Sequence, residues 1–145
     1  MAEAFGVAAG AIPLAVLAYE TSKLLYEEVS CYKSQRPAIK NLQTDLDFLV
    51  TVTGKIKQLG LEAQSRSSQE EERFEPLCQP LECCRAICQE MLDMLNKCKK
   101  NSKEEEDTIK RWLKMRFHEK DLEGMVKRLA WYKSTLSLNF DYIQM

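Results

Sequence analysis

Six cysteines and a single histidine are the residues of this chain best suited to chemistry, and their spacing decides which chemistry is open to them. Cys78, Cys83, Cys84, Cys88 and Cys98 fall within 21 residues, with Cys31 standing apart. An even count in a secreted protein would suggest disulfides. Here five of the six lie on one stretch with helical periodicity, and neighbours along a helix rarely meet the geometry a disulfide needs. The first 20 residues have Glu3 in place of a basic leader and no cleavage region. The thiols are therefore expected to be reduced, in an intracellular compartment. A zinc site would want two C-x-x-C-type pairs or additional histidines, and the sequence has neither. His118 is the only histidine, which disfavours a Ser/His/Asp triad or a His-rich metal site. Met115 stands three residues before it, so the Glu-x-x-His motif of carboxylate-bridged bundle metals is absent as well.

Other catalytic signatures are also missing. No phosphate-binding loop, G-x-G-x-x-G, G-x-S-x-G or H-E-x-x-H is present. The acidic runs Glu70–Glu72 and Glu104–Asp107 need no catalytic explanation, since solvation and helix-dipole complementarity account for them. The expectation is a protein that is not an enzyme and uses no metal or cofactor.

Charge is more informative. The net charge is −1, from 21 basic and 22 acidic residues, too balanced for a dedicated nucleic-acid binder. Residues 108–145 alone carry eight basic and four acidic residues. Within them Lys110, Arg111, Lys114 and Arg116 interleave with Trp112 and Phe117. Such a face could sit at an anionic lipid headgroup surface or on an acidic protein. Equally, it could be a solvated helix face whose Trp112 packs inward.

The elements that must position these residues read as helices throughout. With 145 residues, five Gly and four Pro, the chain fits one domain, 1–145, with few loops. Ala4 to Tyr19 contains no charge over 16 residues, shorter than the roughly 20 apolar residues of a membrane span. Its small residues recur every four positions at Ala2, Gly6 and Gly10, a pattern that permits close helix approach. Pro13 either starts a helical turn or kinks a longer helix. Two readings of this stretch stand side by side. One is a wholly buried first helix. The other is a segment able to leave the bundle for a bilayer, with Phe5, Gly6, Val7, Gly10, Ile12, Leu14, Val16 and Leu17 as the membrane candidates.

A polar break spans Ser30 to Arg36, and Pro37 suits the first turn of the next helix. Ile39, Leu42, Leu46, Leu49, Thr53 and Ile56 follow at 3-4-3-4-3 spacing, with an end expected near Gly60. Gln64 to Glu75 reads as a mobile surface loop, and Pro76 opens a third helix. Its seam, Leu81, Cys84, Cys88, Met91, Leu95 and Cys98, repeats the same spacing. Ser102 to Glu105 has the form of a capping box ahead of a helix bearing Ile109, Trp112, Leu113 and Phe117. Then either the helix bends at His118 to Asp121 or Asp121 caps a new one, carrying Leu122, Met125, Leu129, Tyr132 and Leu136. The sum is an all-α bundle of four to five amphipathic helices with an apolar N-terminal helix.

Three segments, in order, carry a resemblance. They are the opening MAEAFGVAAGAIPLAVLAYE, the middle LECCRAICQEMLDMLNKC and the end IKRWLKMRFHEKDLEGMVKRLAWYKSTLSLNF. The last is the most specific, with Trp-Leu-Lys, then Lys-Asp-Leu, then Leu-x-x-Tyr-Lys-Ser-Thr-Leu. Together they resemble the HeLo-like family, whose members head fungal NLR-like (STAND) receptors. A related version is named for a protein of azaphilone pigment gene clusters. The resemblance covers nearly the whole chain. It implies a cytoplasmic effector domain of fungal innate immunity, similar to the four-helix killer domain of animal necroptosis. It also implies regulated cell death by oligomerisation and relocation of the N-terminal segment to the plasma membrane. The implied partners are the chain itself or other signalling domains, and anionic lipids, with no nucleic acid. The alternative is a helical interaction module of a STAND receptor with no membrane activity. The stretch lacks an amyloid-type motif and a nucleotide-binding module, so it reads as an excised domain or a standalone member.

Overall fold

The computed structural model describes residues 10–64, 72–101, 103–115 and 121–144. Among them are five α-helices and no strand, the all-α bundle that the periodicity predicts. Helix α1 spans Ala11–Ser30, α2 Pro37–Gln64, α3 Cys78–Lys100, α4 Glu105–Lys114 and α5 Leu122–Gln144. A 3-10 turn, Glu75–Leu77, leads directly into α3.

Proline and aspartate set several of the starts. Pro37 is the first residue of α2, and Pro13 lies in the first turn of α1. There its missing N–H would have had no intrahelical partner, so the helix runs on to Ser30 unbroken. Pro76 sits in the first turn of the 3-10 segment rather than in α3 itself. The choice left open at Asp121 resolves as a new start. Helix α4 ends at Lys114 with Met115 in extended backbone, and Asp121 Oδ1 accepts the Gly124 N–H at 2.9 Å. The start of α4 differs from the capping-box expectation. Ser102 lies outside the described residues, and the helix begins only at Glu105, with Glu104 as its N-cap and no side-chain cap. Glu105, Glu106 and Asp107 fill the first turn, where negative charge meets the positive end of the helix dipole.

A second difference is at the end of α2. Gly60 was expected just past its end, but the helix continues four residues further, to Gln64. The glycine serves packing instead. A Cβ there would stand 2.9 Å from Ile12 Cγ1, so Gly60 is what lets α1 approach α2 at that point.

One buried apolar cluster joins all five helices. The α3 seam is its wall: Leu81, Cys84, Cys88, Met91 and Leu95 are fully buried, and Cys98 almost so. The α2 stripe Ile39, Leu42, Leu46, Leu49 and Ile56 is fully buried too. Thr53, the one polar member of that stripe, satisfies its hydroxyl by donating to the Leu49 carbonyl at 2.7 Å. Helices α1 and α5 both pack on α2 and α3, with no substantial packing between each other, and α4 lies against α3 and α5. Polar ties close the ends. Gln43 of α2 donates to the carbonyls of Val29 and Tyr32, tying the turn that follows α1, where Tyr32 N–H also bonds the Val29 carbonyl, to α2. Lys99 pairs with Glu28 at 2.6 Å and Arg36 with Glu106 at 2.8 Å.

Candidate functional site

The apolar N-terminal segment is the first candidate. Phe5, Gly6 and Val7 lie outside the described residues. Gly10 is the N-cap of α1 with φ +78°, a left-handed conformation that glycine adopts without strain. Beyond it the segment divides by face. Ile12 and Leu14 are buried, Val16 is half-buried, and Leu17 is exposed. The inner face is built of small residues, with Ala15 and Ala18 wholly buried, so the backbone of α1 sits close against α2 and α3. Its buried polar groups are self-contained. Thr21 donates to the Leu17 carbonyl at 2.8 Å, and Ser22 to the Ala18 carbonyl at 2.7 Å. Farther along, α1 carries Glu20, Lys23, Glu27 and Glu28. No described helix is long and apolar enough to cross a membrane.

The second candidate, the basic and aromatic face of α4, loses its aromatic. Trp112 is fully buried, and its Nε1–H donates to the Met91 carbonyl of α3 at 3.2 Å. The largest side chain of α4 is therefore an anchor, because an indole can bury its ring while its N–H finds a carbonyl. Lys110, Arg111 and Lys114 are exposed. Arg111 is engaged with Asp107 one turn back at 3.4 Å, and Arg116 lies outside the described residues. Phe117 and His118 lie there too.

The cysteines are all free thiols. Burial pushes Cys84 up to about 12 and raises Cys88, wholly buried, further still. Half-buried Cys78, beside Glu75, is pushed up to about 11. Raised values keep these thiols protonated and poor as nucleophiles or metal ligands at neutral pH. Cys98 is also raised by burial, and its Sγ lies 3.5 Å from Met115 Sδ. Cys31 is exposed. Among the described residues no group of three or more His, Cys, Asp or Glu side chains could hold a metal.

Sequence reasoning missed the outer face of α5. Trp131, Leu138 and Tyr142 are 64%, 70% and 77% exposed, more open than any other large apolar side chain described. They recur at i, i+7 and i+11, so they form one stripe. The signal was in the sequence as a second helical line beside Leu122, Met125, Leu129 and Leu136, but only the structure says which line faces in. On the α2-facing side, Lys133 bonds Asp45 at 2.8 Å with both side chains largely buried, and its ammonium lies 4.9 Å from the Phe48 ring.

No curated protein and no solved structure matches the chain. A family model does: that of the pigment biosynthesis cluster protein PigL N-terminal domain, over residues 2–145. With an all-α bundle and a match that leaves out one residue, the chain belongs to the PigL N-terminal domain family.

Proposed function

We propose that the chain, as one unit over 1–145, is a HeLo-like signalling domain of fungal innate immunity that works in the cytoplasm by protein association, with α1 held in the bundle. What carries this reading is the fit of α1. Ile12 fills the space that Gly60 leaves open, and Ala15 and Ala18 are buried against the neighbouring helices. Withdrawing that face would expose the α2 and α3 surfaces beneath it, at about 25 cal/mol per Å² of apolar area. The free energy needed would have to come from a partner or an oligomer.

A second reading keeps the membrane-directed effector that kills the cell. It is favoured by the uncharged run Ala4 to Tyr19 and by the exposure of Leu17 and Leu24 on the outside of α1. Leakage of dye from anionic vesicles separates the two. The association reading expects no leakage from the wild-type chain, even after forced oligomerisation, and no difference for Gly6→Glu. Leakage by the wild type that Gly6→Glu abolishes would overturn it in favour of membrane insertion.

A further inference from the structure

We propose that the outer face of α5 is a self-association surface, on which a second copy of this chain docks antiparallel about a two-fold axis passing between Ser134 and Thr135. The proposal deepens the association reading by naming the partner.

The apolar part is the stripe of Trp131, Leu138 and Tyr142. Together these side chains expose on the order of 400 Å² per copy, taking full aromatic surfaces of about 150–250 Å². The flanking residues bring the patch toward the roughly 600–800 Å² per partner of the smaller specific interfaces. Trp131 is held edge-on to Tyr132 at 5.1 Å between ring centroids, so part of the surface is oriented before it docks.

The polar part says what covers the stripe. In an isologous contact the same patch must be complementary to itself, and in an antiparallel helix pair each residue meets the one equally far on the other side of the axis. About this axis, Trp131 meets Leu138 of the second copy in both halves. Lys127 comes within one residue of level with Asp141 and on the same flank of the stripe, the two positions lying about 40° apart around the helix. Arg128 stands likewise beside Tyr142, where a guanidinium can lie over an aromatic ring. Lys127 and Asp141 are exposed and form no ion pair among the described residues. Short Ser134 and Thr135 at the centre let the two backbones approach. An anionic lipid surface would attract Lys127 and Arg128 but repel Asp141 at the other end of the stripe, whereas a second copy satisfies both ends.

The test is sedimentation equilibrium of the chain from about 10 µM to about 500 µM, the range in which an interface at the small end of specific contacts should dissociate. A reversible monomer–dimer equilibrium is expected. Trp131→Ala should weaken it at least tenfold. Lys127→Glu alone, or Asp141→Lys alone, should weaken it severalfold by placing like charges opposite each other. The double variant Lys127→Glu with Asp141→Lys should restore it. All three positions are exposed, and unchanged thermal melts of the variants show that the fold is kept. A chain that stays monomeric throughout overturns the proposal, as does a dimer indifferent to Trp131→Ala or not rescued by the charge swap. So does Trp131-dependent binding to anionic vesicles by a chain that forms no dimer. Failure here leaves the packing of α1 as it is, because that is read separately, from the exchange of α1 amides in the monomer.

Discussion

Helices α1 and α5 pack on the same two helices and treat their apolar residues in opposite ways. The start of α1 is uncharged from Ala11 to Tyr19, yet much of it is buried through alanines and an isoleucine set against a glycine. Helix α5 is mixed in composition, with Lys127, Arg128 and Lys133 along it, yet it leaves a tryptophan, a leucine and a tyrosine in solvent. An uncharged run therefore does not mark the most exposed apolar face among the described residues. Small side chains bring a helix close and bury it, while large ones on a second helical line have nowhere in the core to go.

The sharpest way to break this contrast is to truncate one residue of each helix. Leu25→Ala in α1 removes a fully buried side chain and should cost about 2–5 kcal/mol in urea unfolding. A cost below about 1 kcal/mol would mean that α1 is loosely seated. Gly60→Ala tests the same contact from the α2 side. Its Cβ would fall 2.9 Å from Ile12 Cγ1, and a loss of about 1–3 kcal/mol is expected from overpacking, seen as a lower urea midpoint with an unchanged slope.

The cysteines of α3 report on the wall that both helices share. In the unfolded chain thiols ionise near 9.0, whereas folded Cys84 is held up to about 12 and Cys88 is raised as well. The folded state binds the proton more tightly, so this contribution is fully present below pH 9 and is lost as pH rises from there towards 12. The slope is at most about 1.4 kcal/mol per pH unit for each thiol. Cys88→Ala should flatten the alkaline limb of a stability–pH curve. In native protein, iodoacetamide should modify exposed Cys31 long before Cys84 or Cys88. The smallest effect belongs to α5. Trp131→Ala should change monomer stability by less than about 0.5 kcal/mol, since the side chain stands mostly in solvent.

The five helices were legible because each apolar line has a period near 3.6 and is punctuated by proline, glycine or aspartate. The α3 seam from Leu81 to Cys98 follows from spacing alone, whereas spacing allowed either a bend or a new start at Asp121 and the cap hydrogen bond to Gly124 decides it. Gly60 was misread because a glycine near a helix end signals a C-cap, while its use as a contact surface depends on Ile12, some 50 positions away in the chain. Trp112 looked available to a surface because basic residues surround it in sequence, but on the helix its same-face neighbours are Thr108 and Ile109, both buried with it. The stripe on α5 was hidden for a related reason. Periodicity finds apolar lines, and α5 has two, so only the placement of α2 and α3 decides which is buried.

Native-state hydrogen exchange, resolved by residue on the monomeric chain, tests the central claim most directly. If α1 is a permanent part of the core, its amides from Leu17 to Val29 exchange as slowly as those at the centre of α3, with the same dependence on urea. If α1 opens on its own at a small fraction of the global unfolding free energy while α3 stays protected, it is a detachable element, and the account of this domain as a closed bundle is wrong.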